Sequence, residues 1–184
     1  VVKTFEDVAP GTALSYKDDE ENLTYGSHTY KVLPYDANGT AGKKSEAGVF
    51  VQGVPVAVPA GLTTNSWNVK YNNGSSNVTT TATVGFDGSD VYVQGLFTNF
   101  PSAWIKGTIN GTTATFESGQ FLGVSNNNNI WMTGTDGDEE DFEDFTMTYD
   151  ADKQKLTSQN LLLANSGLDE IYYISYLKNI VIQE

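Results

Sequence analysis

Apolar and polar residues alternate with period two over many short stretches of the chain. In "SWNVKYNN", Trp67, Val69 and Tyr71 fall on one side, with Asn68, Lys70 and Asn72 on the other. "DVYVQGLF" and "TYKVLPY" follow the same rule, the latter placing Tyr30, Val32 and Pro34 on one face and Lys31, Leu33 and Tyr35 on the other. Such alternation is the mark of a half-buried strand. Between residues 62 and 184 it predicts strands over 67–71, 77–86, 90–97, 104–109, 112–118, 130–135, 142–150, 155–165, 171–177 and 179–182. Turn signals separate them: "NNGSS", "DGSD", "NGT", "NNNN" and "DADK". No stretch sustains a 3.6-residue period, and the apolar run in "SQNLLLAN" is too short to specify a helix. The chain is therefore expected to be all-β. Residues 62–184 predict a large antiparallel β-sandwich, jelly-roll or barrel-like.

Three stretches organise the sequence. Residues 1–53 hold one strong hairpin signal, Asn38-Gly39 in "DANGTAG", between "TYKVLPY" and "EAGVFVQG". Residues 54–61 carry Pro55 and Pro59, which fix φ and hold the preceding residues extended. They read as a stiff linker. Residues 62–184 form the main domain, whose "LKNIVIQE" is expected to be a last strand at or near the natural C-terminus. The chain starts at Val1 with no signal peptide, which reads as a mature fragment.

Composition removes several function classes. The formal charge is −13, and all ten basic residues are lysines. Nucleic acid needs clustered Lys and Arg, and an anionic membrane surface needs a basic patch, so neither is an expected partner. Without arginine there is no bidentate fork for phosphate or carboxylate. Cysteine is absent, so disulfides, zinc–thiolate sites, iron–sulfur clusters and thiol nucleophiles are excluded. No apolar run approaches the roughly 20 residues of a spanning helix.

Two segments carry a family resemblance. The first includes Tyr16 and Asp18 in "SYKD", Gly26, Tyr30, Val32, Tyr35 and Asp36 in "YGSHTYKVLPYD", and Gly39, Gly42 and Ser45 in "NGTAGKKS". It resembles the second half of a fibronectin type III-like module of bacterial exported proteins. His28 stands where such modules usually place a tyrosine. The second segment is "VYVQGLFTNFPSAWIKGTINGTTATFESGQFLG", residues 91–123. Its Gln94-Gly95-Leu96, Pro101, Trp104, Lys106-Gly107-Thr108-Ile109, Gly111, Phe116 and Gly119–Gly123 resemble the C-terminal module of Bacteroidetes-type surface lipoproteins. The resemblance implies an exported protein at the cell envelope or outer-membrane surface, attached peripherally through a lipid anchor ahead of this chain. It also implies adhesive or carbohydrate-related roles, with a polysaccharide or a surface protein as partner. Residues 1–51, as half a sandwich, would leave an apolar face and free edges. They are expected to pack on the second module, on another copy or on a retained fragment.

The candidate chemistry is sparse. The lone His28 has no second histidine or cysteine to work with and reads as structural. Paired carboxylates drawn from Asp87, Asp90, Glu117, Asp136, Glu143 and Asp144 would be needed for a glycosidase, but 23 acidic residues make chance pairing inevitable. The acidic run "TDGDEEDFEDF" offers Asp136, Asp138, Glu140 and Asp141 as oxygen ligands for Ca²⁺, although its spacing is not that of an EF-hand. A solvated acidic loop is the plainer reading, and no other cofactor is expected. For sugar stacking, Trp131 follows four asparagines, so Trp131 with Asn127, Asn128 and Asn129 forms the first candidate platform and Trp67 the second. Sequons at Asn22, Asn38, Asn73, Asn77 and Asn110 read as chance products of Asn- and Thr-rich turns.

A non-catalytic cell-surface binding or accessory module, glycan-related, is thus the leading expectation. A structural spacer or adhesin stalk is the second, and a two-carboxylate carbohydrate hydrolase the third.

Overall fold

The computed structural model describes residues 3–18, 24–135, 142–167 and 172–184. Every regular element in them is a β-strand. The first two, β1 (Gly26–Val32) and β2 (Ser45–Val51), form a separate antiparallel ribbon. The main domain follows with β3 (Thr64–Asn72), β4 (Asn77–Asp87), β5 (Asp90–Gln94), β6 (Trp104–Asn110) and β7 (Thr113–Phe116). It continues with β8 (Gln120–Ser125), β9 (Asn128–Thr135), β10 (Phe145–Asp150), β11 (Lys155–Ser158), β12 (Leu161–Ser166) and β13 (Tyr173–Gln183).

Pairing is antiparallel throughout these ladders. β3, β4, β5, β6, β7, β10 and β11 neighbour one another in that order. β13 then pairs with both β11 and β3 and closes an eight-stranded barrel. Of the forms expected for residues 62–184, the barrel-like one is found, with its strands in up-and-down order. The hairpin β8–β9 and the strand β12 are inserted into this meander, and they join the first half of β13 in a second sheet.

The alternating pattern explains the closure. Inward positions are Val69, Val84, Val91, Val93, Ile105, Phe116, Phe145, Leu156 and Ile182, all essentially inaccessible. Eight strands leave an interior that side chains can fill. Gly107 makes room there: a Cβ would come within 3.0 Å of the Phe116 ring across the ladder. The second sheet turns Leu122, Ile130, Met132, Leu162 and Ala164 into the same apolar cluster. Outward positions are polar, notably Thr79 and Thr81 on β4.

Several elements differ from the sequence reading. Residues 155–165, read as one strand, are two. β11 stays in the barrel, and β12 departs to the second sheet after Gln159 and Asn160. Residues 171–177 and 179–182, read as two strands, are one long β13 that passes from sheet to barrel, with an irregularity between Lys178 and Val181. β8, Gln120–Ser125, is not among the strands that the alternation predicts.

The first 53 residues supply the expected hairpin. Its tip is an Asp36 turn, whose Oδ1 accepts the N–H groups of Asn38 and Thr40 at 2.9 and 2.8 Å. These two bonds, led by that from Thr40, hold the Asp36 carboxyl below its ordinary range. The ribbon is the only regular structure among the described residues before Gly53. The proline segment is docked rather than free. Pro55 bridges to Phe121 in parallel, and Gly53 is buried against Phe121 and Trp131. A Cβ at Gly53 would lie 2.4 Å from the Phe121 ring and 2.7 Å from Trp131, so only glycine fits. The ribbon thus meets the main domain, yet Val32 and Val49 on one of its faces stay 64% and 49% exposed.

Candidate ligand-binding groove

The barrel wall has a seam. β10 follows β7 from Phe145 to Thr148, but it meets β11 only from Thr148 to Asp150. Beyond that point β11 ends at Ser158, and the chain turns through Gln159 and Asn160 towards β12. On the far side, β13 enters the wall through Asn179, which has a left-handed φ of 55° at the β13 irregularity. The strands part, and a cleft of about 690 Å³ lies between them.

Its lining follows from the register. Thr113, Thr148 and Thr157 stand opposite one another on β7, β10 and β11, and Val181 on β13 completes the row. Thr146 and Ser158 add hydroxyls, while Gln159, Asn160 and Asn179 add amides. Met147 and Ile180, which are core residues, also line the cleft. Threonine suits this place because its branched Cβ favours the strand and leaves χ1 few choices, so the hydroxyl direction is preset.

None of the described lining residues carries a formal charge. The groove therefore offers neutral donors and acceptors beside an apolar floor. Among the described residues the groove has no histidine, lysine or carboxylate placed to act as general acid or base. Its volume lies within the usual range for small-ligand sites, about 300–1,000 Å³.

The residues expected to stack sugars are placed elsewhere and mostly covered. Trp131 is only 5% exposed. Its ring packs edge-on to Phe121 at 5.4 Å and against Tyr25 at 4.9 Å, beneath Gly53. Asn129 is also buried, because its side chain is a latch. Oδ1 accepts the Gly53 N–H at 2.9 Å and Nδ2 donates to the Val51 carbonyl at 3.0 Å. Asn127 and Asn128 are exposed, with Asn126 and Asn127 at φ 50° and 61° forming the β8–β9 turn. These four residues do not form an open platform: Asn129 and Trp131 are covered by the ribbon connection. Trp67 is 2% exposed inside the barrel, its ring 5.7 Å from that of Phe86. Neither tryptophan has a face free for stacking.

Asp136, Asp138, Glu140 and Asp141, the Ca²⁺ candidates, lie outside the described residues. Among the described residues no cluster of three or more metal-ligating side chains occurs. The other carboxylates sit apart from the groove. Asp90 on the outer wall meets Lys106 Nζ at 2.7 Å and accepts from Thr108 Oγ1 at 3.2 Å. The hydrogen bond from Lys106 holds the Asp90 carboxyl below its ordinary range and raises Lys106 in turn. Asp144 accepts the Ser118 N–H at 2.8 Å, and Asp87, Glu117 and Glu143 are exposed. His28 donates through Nε2 to the Thr24 carbonyl at 2.7 Å, at the surface. Among the described residues no helix is long and apolar enough to cross a membrane.

Sequence reasoning missed the groove. Its trace is the spacing Thr146–Thr148 in "FTMTYD" and the "TSQN" that breaks β11 from β12. That trace has no meaning until the register sets Thr148 beside Thr157. Compared with family models, with curated proteins and with solved structures, the chain finds no match.

Proposed function

We propose that the chain is a non-catalytic binding module of an exported cell-surface protein, and that its barrel seam takes a neutral, polyhydroxylated ligand, a segment of polysaccharide. The observation that carries this reading is the groove itself: hydroxyls from β7, β10 and β11 and amides from the Gln159–Asn160 turn and from Asn179 of β13, with no charge among the described lining residues. On a protein of net charge −13, an anionic ligand meets repulsion, and a cationic one finds no carboxylate among the described lining residues. A sugar ring needs what is present, namely paired donors and acceptors beside apolar atoms. The envelope setting and lipid attachment rest on the likeness of residues 91–123 to surface lipoproteins.

One observation favours the second reading, a stalk or spacer. The Asn129 latch and the Gly53 contact fix the ribbon to the barrel, as a spacer would need. Among the described residues of the groove, a hydrolase finds no carboxylate.

Affinity electrophoresis through gels containing neutral polysaccharides, including α- and β-linked glucans, mannan and xylan, tests the binding reading. The wild-type chain is retarded in at least one gel. Thr148→Glu, an exposed change that sets a charge in the groove, removes the retardation. Migration equal to a control protein in every gel would overturn the reading, as would retardation that Thr148→Glu leaves intact.

A further inference from the structure

The edge of β10 that faces the seam is incomplete. Alternate residues of a strand send their N–H and C=O groups to opposite edges. The Tyr149 N–H donates to the Thr112 carbonyl at 2.8 Å, and Phe145 and Met147 stand opposite Phe116 and Ala114. Those residues turn their backbone groups to β7, so Thr146, Thr148 and Asp150 turn theirs to the other edge. There Thr148 and Asp150 meet Thr157 and Lys155 of β11. The same register would set Thr146 opposite Gln159, but β11 ends at Ser158 and the chain has turned away. Among the described residues nothing pairs with the Thr146 backbone on this edge.

Thr146 is half-buried and lines the cleft. A backbone donor and acceptor in such a place call for a partner, water or ligand. Pairing on both sides holds them still: Phe145 and Met147 to β7, Thr148 to β11. A ligand therefore meets them already ordered, with no side-chain freedom to lose. Strand addition by a peptide needs a row of free groups, and β10 offers one residue. One N–H and one C=O, side by side and pointing the same way, instead match two adjacent hydroxyls of a sugar ring. One hydroxyl oxygen accepts from the N–H, and its neighbour donates to the carbonyl.

We infer that the Thr146 main chain binds a pair of adjacent free hydroxyls, so the ligand is a polysaccharide whose linkage leaves such a pair within the chain. This rests on the binding reading of the seam groove. Residues linked 1,4 or 1,6 keep neighbouring hydroxyls at C2 and C3. Residues linked 1,3 keep those at C2, C4 and C6, none of them adjacent.

Affinity electrophoresis against amylopectin and galactomannan (1,4-linked backbones), dextran (1,6-linked) and a linear 1,3-linked β-glucan tests the linkage. At least one of the first three retards the chain, and the 1,3-linked glucan does not. Equal retardation by the 1,3-linked glucan, still abolished by Thr148→Glu, refutes the diol contact while the seam reading stands. No retardation by any polymer overturns both. Two variants separate backbone from side chain. Thr146→Pro removes the free N–H where the strand does not use it, and circular dichroism verifies the fold. It weakens binding of the retarding polymer roughly tenfold, whereas Thr146→Val, which loses only the hydroxyl, weakens it less than about threefold. Equal losses in the two variants refute the backbone contact. Amide exchange of the wild-type chain needs no variant. The Thr146 amide exchanges readily in the free chain and slows when an oligosaccharide of the retarding polymer saturates it, while the paired Thr148 amide is protected throughout. Thr146 exchange unchanged at saturation refutes the contact.

Discussion

Asn129→Ala isolates what holds the ribbon to the barrel. The Asn129 amide satisfies two backbone groups some 76–78 residues away in sequence, the buried Gly53 N–H and the part-buried Val51 carbonyl. Truncation leaves both without their partner. A stranded buried donor costs about 1–3 kcal/mol, and a part-buried carbonyl that water reaches costs about 1 kcal/mol. The docked state should lose about 2–4 kcal/mol, which is a thirtyfold to several-hundredfold shift towards release. The barrel closes without Asn129, so the effect is local. Native-state hydrogen exchange by NMR reads it directly. The Gly53 amide should exchange faster by that factor, while barrel amides such as those of Val69 and Ile182 keep their protection. Asn129→Asp sharpens the test. It retains an acceptor for Gly53 but sets an oxygen against the Val51 carbonyl, so it docks better in acid, where the protonated carboxyl regains a donor. Unchanged Gly53 exchange in Asn129→Ala would refute the latch. Equal loss of protection throughout the barrel would refute its local character.

Three further outcomes follow from the packing and the charges. Phe145→Ala removes a fully buried ring that faces Phe116 at a centroid distance of 6.2 Å, and urea unfolding should show a loss of about 3–5 kcal/mol; a loss below about 1 kcal/mol would mean the barrel interior is not the core. Trp67→Phe gives up volume but also removes a buried indole N–H that has no partner, a group whose burial costs about 1–3 kcal/mol, so its net loss in the same assay should be far smaller than that of Phe145→Ala. The Asp90–Lys106 pair should follow its titrations. Asp90 is depressed, so its support is complete above the ordinary carboxylate range and lost as pH falls through its lowered value; Lys106 is raised, so its support is complete below the ordinary lysine range and lost as pH rises through its raised value. Urea midpoints of wild type and Asp90→Asn should therefore differ by a constant amount around neutrality and converge in acid, whereas a difference that persists in strong acid would show that the ion pair is not its source.

The sequence carried the strand pattern well, because period-two burial is a local property. Trp67, Val69 and Tyr71 alternate in the chain and point inward in the barrel. Closure was less legible, since β13 serves β12, β11 and β3 by turns, and no local signal announces a strand with three partners. Trp131 shows the same limit from the other side. Its polar neighbours look like a surface loop, but Phe121, Gly53 and Tyr25 cover it from distant segments. The proline stretch misled in the same way: Pro55 keeps the chain extended, as expected, but extended against β8. The groove depends on where β10 and β11 part, a fact of register that composition cannot carry.

The most direct measurement is an amide NMR titration of the isotope-labelled chain with the neutral oligosaccharide that retards it most. The seam reading predicts saturable shifts at Thr146, Thr148, Thr157, Gln159, Asn160 and Asn179, insensitive to salt. A silent seam, with shifts at the exposed Tyr172 and Tyr173 or at Val32 and Val49 of the ribbon, would contradict it.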